Sequence, residues 1–212
     1  MNSHLLVSDA AHFRVDYEIN PYMHTGVQPD RAAAVAEHEA IVAAHRAAGR
    51  TIEYLPSVPE CPDMVFTANM AVVRGNRAVL GYPPPERKAE MPYARDWLIS
   101  RGFDVIEPPY PFSGQGDALA CGDLLLTGYG QRTDQRMLPI LAQELKYEVI
   151  PLRTVSAQWY DLDLAVAVID SRTIAYCPQA LDESSRRRLR GLGRDLIEVP
   201  VEEASRFALN LI

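Results

Sequence analysis

The sequence predicts an α/β fold assembled from repeated strand–strand–helix–strand units, and three observations predict it. First, four apolar, β-type runs recur, beginning at Met64-Val65-Phe66, Asp117-Ala118-Leu119, Asp161-Leu162-Asp163 and Phe207-Ala208-Leu209. Their starts lie roughly 45 to 55 residues apart, the range in which repeated supersecondary units are expected. Second, each of the first three runs is followed by another apolar strand, a helical stretch and a third short strand. Third, every third strand runs into a proline, Pro108, Pro151 or Pro200. Proline cannot donate to a ladder and so punctuates strand ends.

A leading strand is expected at Leu5-Leu6-Val7. Asp30 is a good N-cap for a helix through Ala32–Ala36 and Ile41–Ala44, with Gly49 placed for its C-cap. Thr51–Leu55 then reads as a strand ended by Pro56. In the repeats, second strands fall at Arg77–Tyr82, Leu124–Gly128 and Thr173–Cys177, and third strands at Asp104–Glu107, Tyr147–Ile150 and Asp195–Val199. Units of this kind cannot bury their faces alone and must pack on neighbours around an axis. Phe207–Ile212 reads as the first strand of one more unit. Residues 1–212 are therefore expected to form a single domain, an incomplete ring ending at the first strand of its last unit. Its open edge calls for a homo-oligomer or a partner chain to cover it.

Composition narrows the function. Apolar residues at 48% and charged residues at 23% are globular values, which excludes disorder, collagen and coiled coil. The net charge of −7 argues against a nucleic-acid partner, which needs excess Lys and Arg to release counterions. The basic run Arg186-Arg187-Arg188 with Arg190 follows Asp182 and ends at Gly191, so it reads as a solvated helix. No apolar run approaches ~20 residues, and no signal-peptide pattern is visible, so a cytoplasmic protein without a membrane partner is expected. Cys61, Cys121 and Cys177 are odd in number and far apart, which suggests a reducing compartment and neither disulfides nor zinc. The five histidines all lie at or before His45, and His38-Glu39 lacks the spacing of a zinc-protease helix. No metal and no cofactor are expected.

Three places look chemical. Asp63 and Asn69 bracket an apolar run, and a carboxylate with an amide there can grip a cationic, hydrogen-bonding head such as guanidinium. Gly114-Gln115-Gly116 precedes a strand and lacks the last glycine of a dinucleotide fingerprint, so its glycines serve close backbone approach. Asp161 and Asp163, at i and i+2, would share one side of a strand.

Together, Pro62-Asp-Met-Val-Phe-Thr-Ala-Asn69, Gly114-Gln-Gly-Asp-Ala-Leu119, Arg132-Thr-Asp134 and Tyr160-Asp-Leu-Asp163 resemble the guanidine-modifying enzymes of the pentein superfamily. These include arginine deiminase, dimethylargininase, amidinotransferases and arginine dihydrolase. Tyr17-Glu-Ile-Asn-Pro-Tyr22 resembles the Ile-Asn-Pro segment of the dihydrolase branch. The resemblance implies a five-bladed α/β propeller of ββαβ units, here lacking most of the fifth blade. It also implies a substrate-binding shell: Asn20 and Asn69 for head or backbone groups, Asp63 and Asp163 for guanidinium, Arg87 and Arg132 for a carboxylate or the pocket wall. The ligand would be arginine-like or ornithine-like.

The catalytic shell departs from the pattern. The family's nucleophilic cysteine lies in the fifth blade, and no cysteine follows Cys177. Its general acid/base histidine in Tyr-His-Leu-Asp is Asp161 here, and the glutamate of Phe-Glu-Gly is Ser113. A shortened chain explains a missing cysteine but not these two. An ordinary aspartate titrates near ~4 and is an anion at neutral pH, with no proton to donate. The expectation is a binding or regulatory pseudoenzyme; the alternative is an active guanidine hydrolase or amidinotransferase whose site is divergent or completed by a partner.

Overall fold

The computed structural model describes residues 3–212. β1 (His4–Val7) pairs in parallel with β2 (Thr51–Tyr54), and helix α1 (Arg31–Ala47) makes the crossover. The Asp30 carboxylate accepts from the amides of Ala32 and Ala33, so the expected cap forms.

Three full units follow. The first is β3 (Ala71–Arg74), β4 (Arg77–Leu80), α2 (Met91–Ser100) and β5 (Asp104–Ile106). The second is β6 (Ala118–Cys121), β7 (Leu124–Tyr129), α3 (Met137–Leu145) and β8 (Glu148–Arg153). The third is β9 (Val166–Val168), β10 (Thr173–Tyr176), α4 (Glu183–Gly191) and β11 (Asp195–Glu198), after which comes the single turn α5 (Val201–Ala204). In every unit the first two strands pair antiparallel and the third pairs parallel with the second. A tight hairpin and a helical crossover impose those directions.

The second strands of the first two units each serve two cores. Side chains alternate faces along a strand, so on β4 Ala78 and Leu80 join Met64, Leu55 and Leu98 while Val79 faces the other way. Val79 packs with Val72, Phe112, Leu125 and Leu141. On β7, Leu125 belongs to that cluster and Leu126 to the next, with Leu152, Leu162, Ile174 and Leu189. The first and second units are thus each glued to both neighbours.

Three expectations are corrected. Met64–Phe66 and Asp161–Asp163 are not strands but turns, and β3 and β9 begin at Ala71 and Val166. Their backbone amides are satisfied locally: Met64 donates to Cys61, Phe66 to Asp63, Met70 to Thr67 and Ala165 to Leu162 carbonyls. Pro151 does not end its strand; β8 continues to Arg153. Among the described residues that strand pairs only with β7, so a missing N–H is tolerated. Phe207–Ile212 forms turns and irregular chain, with Phe207 left-handed at φ 64° and Leu209 buried in the third core. First strands elsewhere exist by pairing with a second strand, and none pairs with 207–212 among the described residues. The basic run is α4, capped by Asp182, with its arginines facing solvent around Glu183.

Candidate functional site

A short 3₁₀ turn precedes the first strand of each unit: Thr67–Asn69, Gly114–Gly116 and Leu162–Leu164. The second turn touches both others, so the three sets of polar side chains converge at one place. Glycine makes this possible. A Cβ on Gly116 would lie 2.6 Å from Asn69 Nδ2 and 2.8 Å from Asp161 Oδ2. On Gly128 it would lie 2.1 Å from Asp117 Oδ1.

One half of the cluster is built on Arg87, which is 3% exposed. Its Nε and Nη2 donate to the two Glu90 oxygens at 2.9 and 2.7 Å, a bidentate pair. Nη1 donates to Asn69 Oδ1 at 2.9 Å, and Nη2 also reaches the carbonyls of Asp63 and Phe66. Asp63 Oδ2 lies 3.9 Å from Arg87 Nε and accepts from the Tyr17 hydroxyl at 3.0 Å. Asp63 Oδ1 is buried and receives no donor among the described residues. Burial raises the carboxyls of Asp63 and Glu90 above the usual range against the pull of Arg87. Burial, and then the charge of Asp63, lift the Tyr17 phenol well above its ordinary value.

The other half is built on Asp161, also 3% exposed. Its Oδ1 accepts from Ser113 Oγ at 2.6 Å. Its Oδ2 accepts from Asn69 Nδ2 at 3.1 Å and from Arg132 Nη1 at 3.3 Å. Asn69 therefore ties the halves together. Arg132 lies over the Tyr160 ring, 4.2 Å from its centroid, and Nη2 reaches the Ile19 carbonyl. Asp117 accepts from the Leu162 amide at 2.8 Å and the Thr133 hydroxyl at 2.6 Å, while Thr133 Oγ1 accepts from the Ser113 amide. Burial and then the charge of Asp161 push the Asp117 carboxyl up to about 7. The same two causes, with Asp117 added, hold Asp163 well above the carboxylate range, Asn210 pulling the other way. The Tyr160 phenol is pushed up to about 12 by burial and by Asp161.

Of the residues singled out from sequence, Asp63, Asn69, Arg87, Ser113, Arg132 and Asp161 are joined by direct contacts. Asp161 and Asp163 do not share a strand face; they flank Leu162 in a turn. The Asn20 carboxamide caps its own turn, accepting from the Tyr22 amide, while Tyr17 and Ile19 of the same segment reach the cluster. Glu90, Asp117 and Thr133 were not singled out. Their signals were adjacency: Asp117 follows the two glycines, Thr133 follows Arg132, and Glu90 is three residues beyond Arg87. Two clefts flank Arg132. One of about 350 Å³ is lined by Tyr82, Lys88, Phe112 and Ser113, the other of about 630 Å³ by Tyr129, Asp134 and Arg153. Among the described residues no group of three or more His, Cys, Asp or Glu is arranged to hold a metal ion.

Repeated ββαβ units with carboxylates, an amide and arginines gathered at their entrance turns define a pentein-type α/β protein. Residues 17–212 match the family model described as N,N dimethylarginine dimethylhydrolase, eukaryotic, and the chain belongs to that family. A dimethylarginine dimethylaminohydrolase of Mycobacterium tuberculosis is 35% identical over 203 residues, 95% of this chain and 67% of the relative. The bifunctional arginine dihydrolase/ornithine cyclodeaminase AgrE of Nostoc is 32% identical, and this chain spans 30% of its length. A crystal structure of an AgrE mutant with L-arginine superposes with a TM-score of 0.95 at 31% identity, covering 100% of this chain and 33% of that one. A substrate-bound N-terminal domain of the cyanobacterial arginine dihydrolase ArgZ gives 0.91 at 32%, covering 99% and 80%.

Proposed function

We propose that the cluster binds an arginine-like or ornithine-like small molecule and that the protein is a binding or regulatory member of its family, not a guanidine hydrolase. The observation that carries this reading is the 2.6 Å bond from Ser113 to Asp161. Acid/base chemistry on a leaving amine needs a group that gives a proton, worth ~10²–10⁴ in rate. Here the groups at those positions bond each other, and both Asp161 oxygens accept, from Ser113, Asn69 and Arg132. The ligand half is supported by Asp63 Oδ1, a buried acceptor whose unmet hydrogen bond a guanidinium or ammonium N–H would satisfy. Arg87, with its N–H groups spent inside the chain, acts by positioning Asp63 and Asn69. Relatives crystallised with L-arginine and with ornithine support the ligand class. In the same reading the protein works in the cytoplasm, where its buried thiols Cys61, Cys121 and Cys177 stay reduced. The edge of β1 not paired to β2 would then be covered by a second copy or a partner chain.

Kinship with a named dimethylaminohydrolase favours a second reading, an active guanidine hydrolase or amidinotransferase with a divergent or partner-completed site. Calorimetric titration with arginine, ornithine and citrulline, run beside an ammonia- and citrulline-release assay, separates the two. Binding without turnover, weakened by Asp63→Ala, is expected. Turnover at the rates of an ordinary hydrolase would overturn the pseudoenzyme half, and no binding of any arginine-like or ornithine-like molecule, decarboxylated forms included, would overturn the ligand half.

A further inference from the structure

An amino-acid ligand brings a carboxylate as well as a cationic head, and a site that selects it must hold a cation free to receive that carboxylate. The two buried or half-buried cations of the cluster are Arg87 and Arg132. Arg87 is locked bidentate on Glu90 with Asp63 beside it. Arg132 is paired with Asp161 at 3.3 Å, stacked on Tyr160 and bonded to the Ile19 carbonyl. Against them stand Asp63, Glu90 and Asp161, the first with an oxygen that lacks a donor among the described residues, while burial holds the carboxyls of Asp117 and Asp163 toward their neutral forms. Lys88, at the mouth of the smaller cleft, is exposed and lies over the Tyr82 ring, so water already solvates its charge. Such a site satisfies a cation and repels an anion, because a carboxylate arriving at Arg132 meets Asp161 already bound to it.

We infer that Asp161 is a specificity-determining residue, which turns the site toward guanidino-amines and diamines that lack an α-carboxylate and away from the amino acids of the same length. The inference rests on the ligand reading above and names its class of molecule. It differs from that reading in one observable, the ratio between a ligand and its decarboxylated counterpart.

Calorimetric titration of the full protein with two matched pairs reads that ratio: agmatine against arginine, and 1,4-diaminobutane against ornithine. Each decarboxylated member is expected to bind at least about tenfold tighter, since like charges placed together cost more than the energy of one decade in affinity. Asp161→Asn keeps an acceptor for Ser113 but frees the charge of Arg132, and should shrink the ratio about tenfold by restoring arginine binding. Arg132→Gln should leave it within about threefold, because that charge is already spent. Thermal melts of both variants confirm that they fold, and if Asp161→Asn does not, the wild-type and Arg132→Gln ratios still decide. A wild-type ratio below tenfold, or a ratio unmoved in folded Asp161→Asn, overturns the inference and leaves the ligand reading intact. Failure of all four molecules to bind overturns both.

Discussion

Two ion pairs in this molecule share their chemistry, spacing and length. Arg87 and Glu90 are three residues apart with 2.7 Å between Nη2 and Oε2; Arg186 and Glu183 are also three apart, again at 2.7 Å. They differ in water. The side chains of the first pair are 4% and 3% exposed, those of the second 32% and 54%. At the surface each charge keeps most of its hydration whether or not the partner is present, and the pair is worth little. In the interior each charge has given up its hydration, and the partner is what makes the site tolerable. Distance therefore does not rank these pairs; desolvation does.

The largest effect follows directly. Arg87→Ala would leave Glu90 and Asp63 buried without their cation and remove a donor to Asn69. We expect a loss of about 3–5 kcal/mol in urea unfolding, the cost of breaking a buried pair. A loss under about 1 kcal/mol, the range of exposed pairs, would erase the contrast between the two regions.

The next effect tests how closely the buried region is packed. Gly128→Ala places a methyl 2.1 Å from Asp117 Oδ1 and 2.8 Å from Leu162 Cβ. A Cβ on Gly191, on the solvated helix, would meet nothing within 4 Å among the described residues beyond its own turn of chain. We expect about 3 kcal/mol of destabilisation at the first position, the upper range for overpacking. At the second, change within about 0.5 kcal/mol is expected, as for surface sites. Equal midpoints for the two variants would show that the entrance turns give way easily.

These two glycines mark what was legible in the sequence and what was not. The helices and paired strands could be read because their signals are local: a capping Asp30 or Asp182, an alternating Arg77–Leu80, a proline two residues past β5 and β11. The entrance turns could not. Met64-Val65-Phe66 has the composition of a strand, and the bonds of the Met64 and Phe66 amides to the Cys61 and Asp63 carbonyls show otherwise. Asp63, Asn69, Arg132 and Asp161 could be found from motifs in order along the chain. Asp117 escaped because its role depends on the amide of Leu162, 45 positions away. Arg87 was visible as a basic residue, but its burial was not, since the groups that bury it come from residues 63–69.

A third effect separates the regions by pH. Asp117 is raised to about 7 in the folded protein by burial and by Asp161, against ~3.9 in an unfolded chain. Between those values the folded state holds a proton that the unfolded state has released, so this group's contribution to stability falls as pH rises from about 4 to about 7. Below both values its penalty is absent. Asp117→Asn removes the titration, and the difference between wild type and variant should change by up to ~1.4 kcal/mol per pH unit across that window. Urea midpoints at several pH values measure it. A constant difference from pH 4 to 8 would mean that Asp117 is ionised throughout and its burial is compensated.

The smallest effect is expected on α4. Glu183 lies within 4 Å of three arginines, Arg186 at 2.7, Arg190 at 3.4 and Arg187 at 3.6 Å. Removing one leaves two, and all are open to solvent. Glu183 also sits at the first position of the helix, where the exposed amides favour a negative charge regardless of its partners. Arg186→Ala should therefore cost no more than about 0.5 kcal/mol. Even that should fade at about 0.5 M salt, where the screening length is well below its ~10 Å value at 0.1 M. The loss in Arg87→Ala should persist at the same salt, because ions do not enter a site that is 3–4% exposed. A loss above about 2 kcal/mol for Arg186→Ala, or equal salt dependence for the two variants, would mean that geometry outweighs desolvation here and would reverse the ranking of the two pairs.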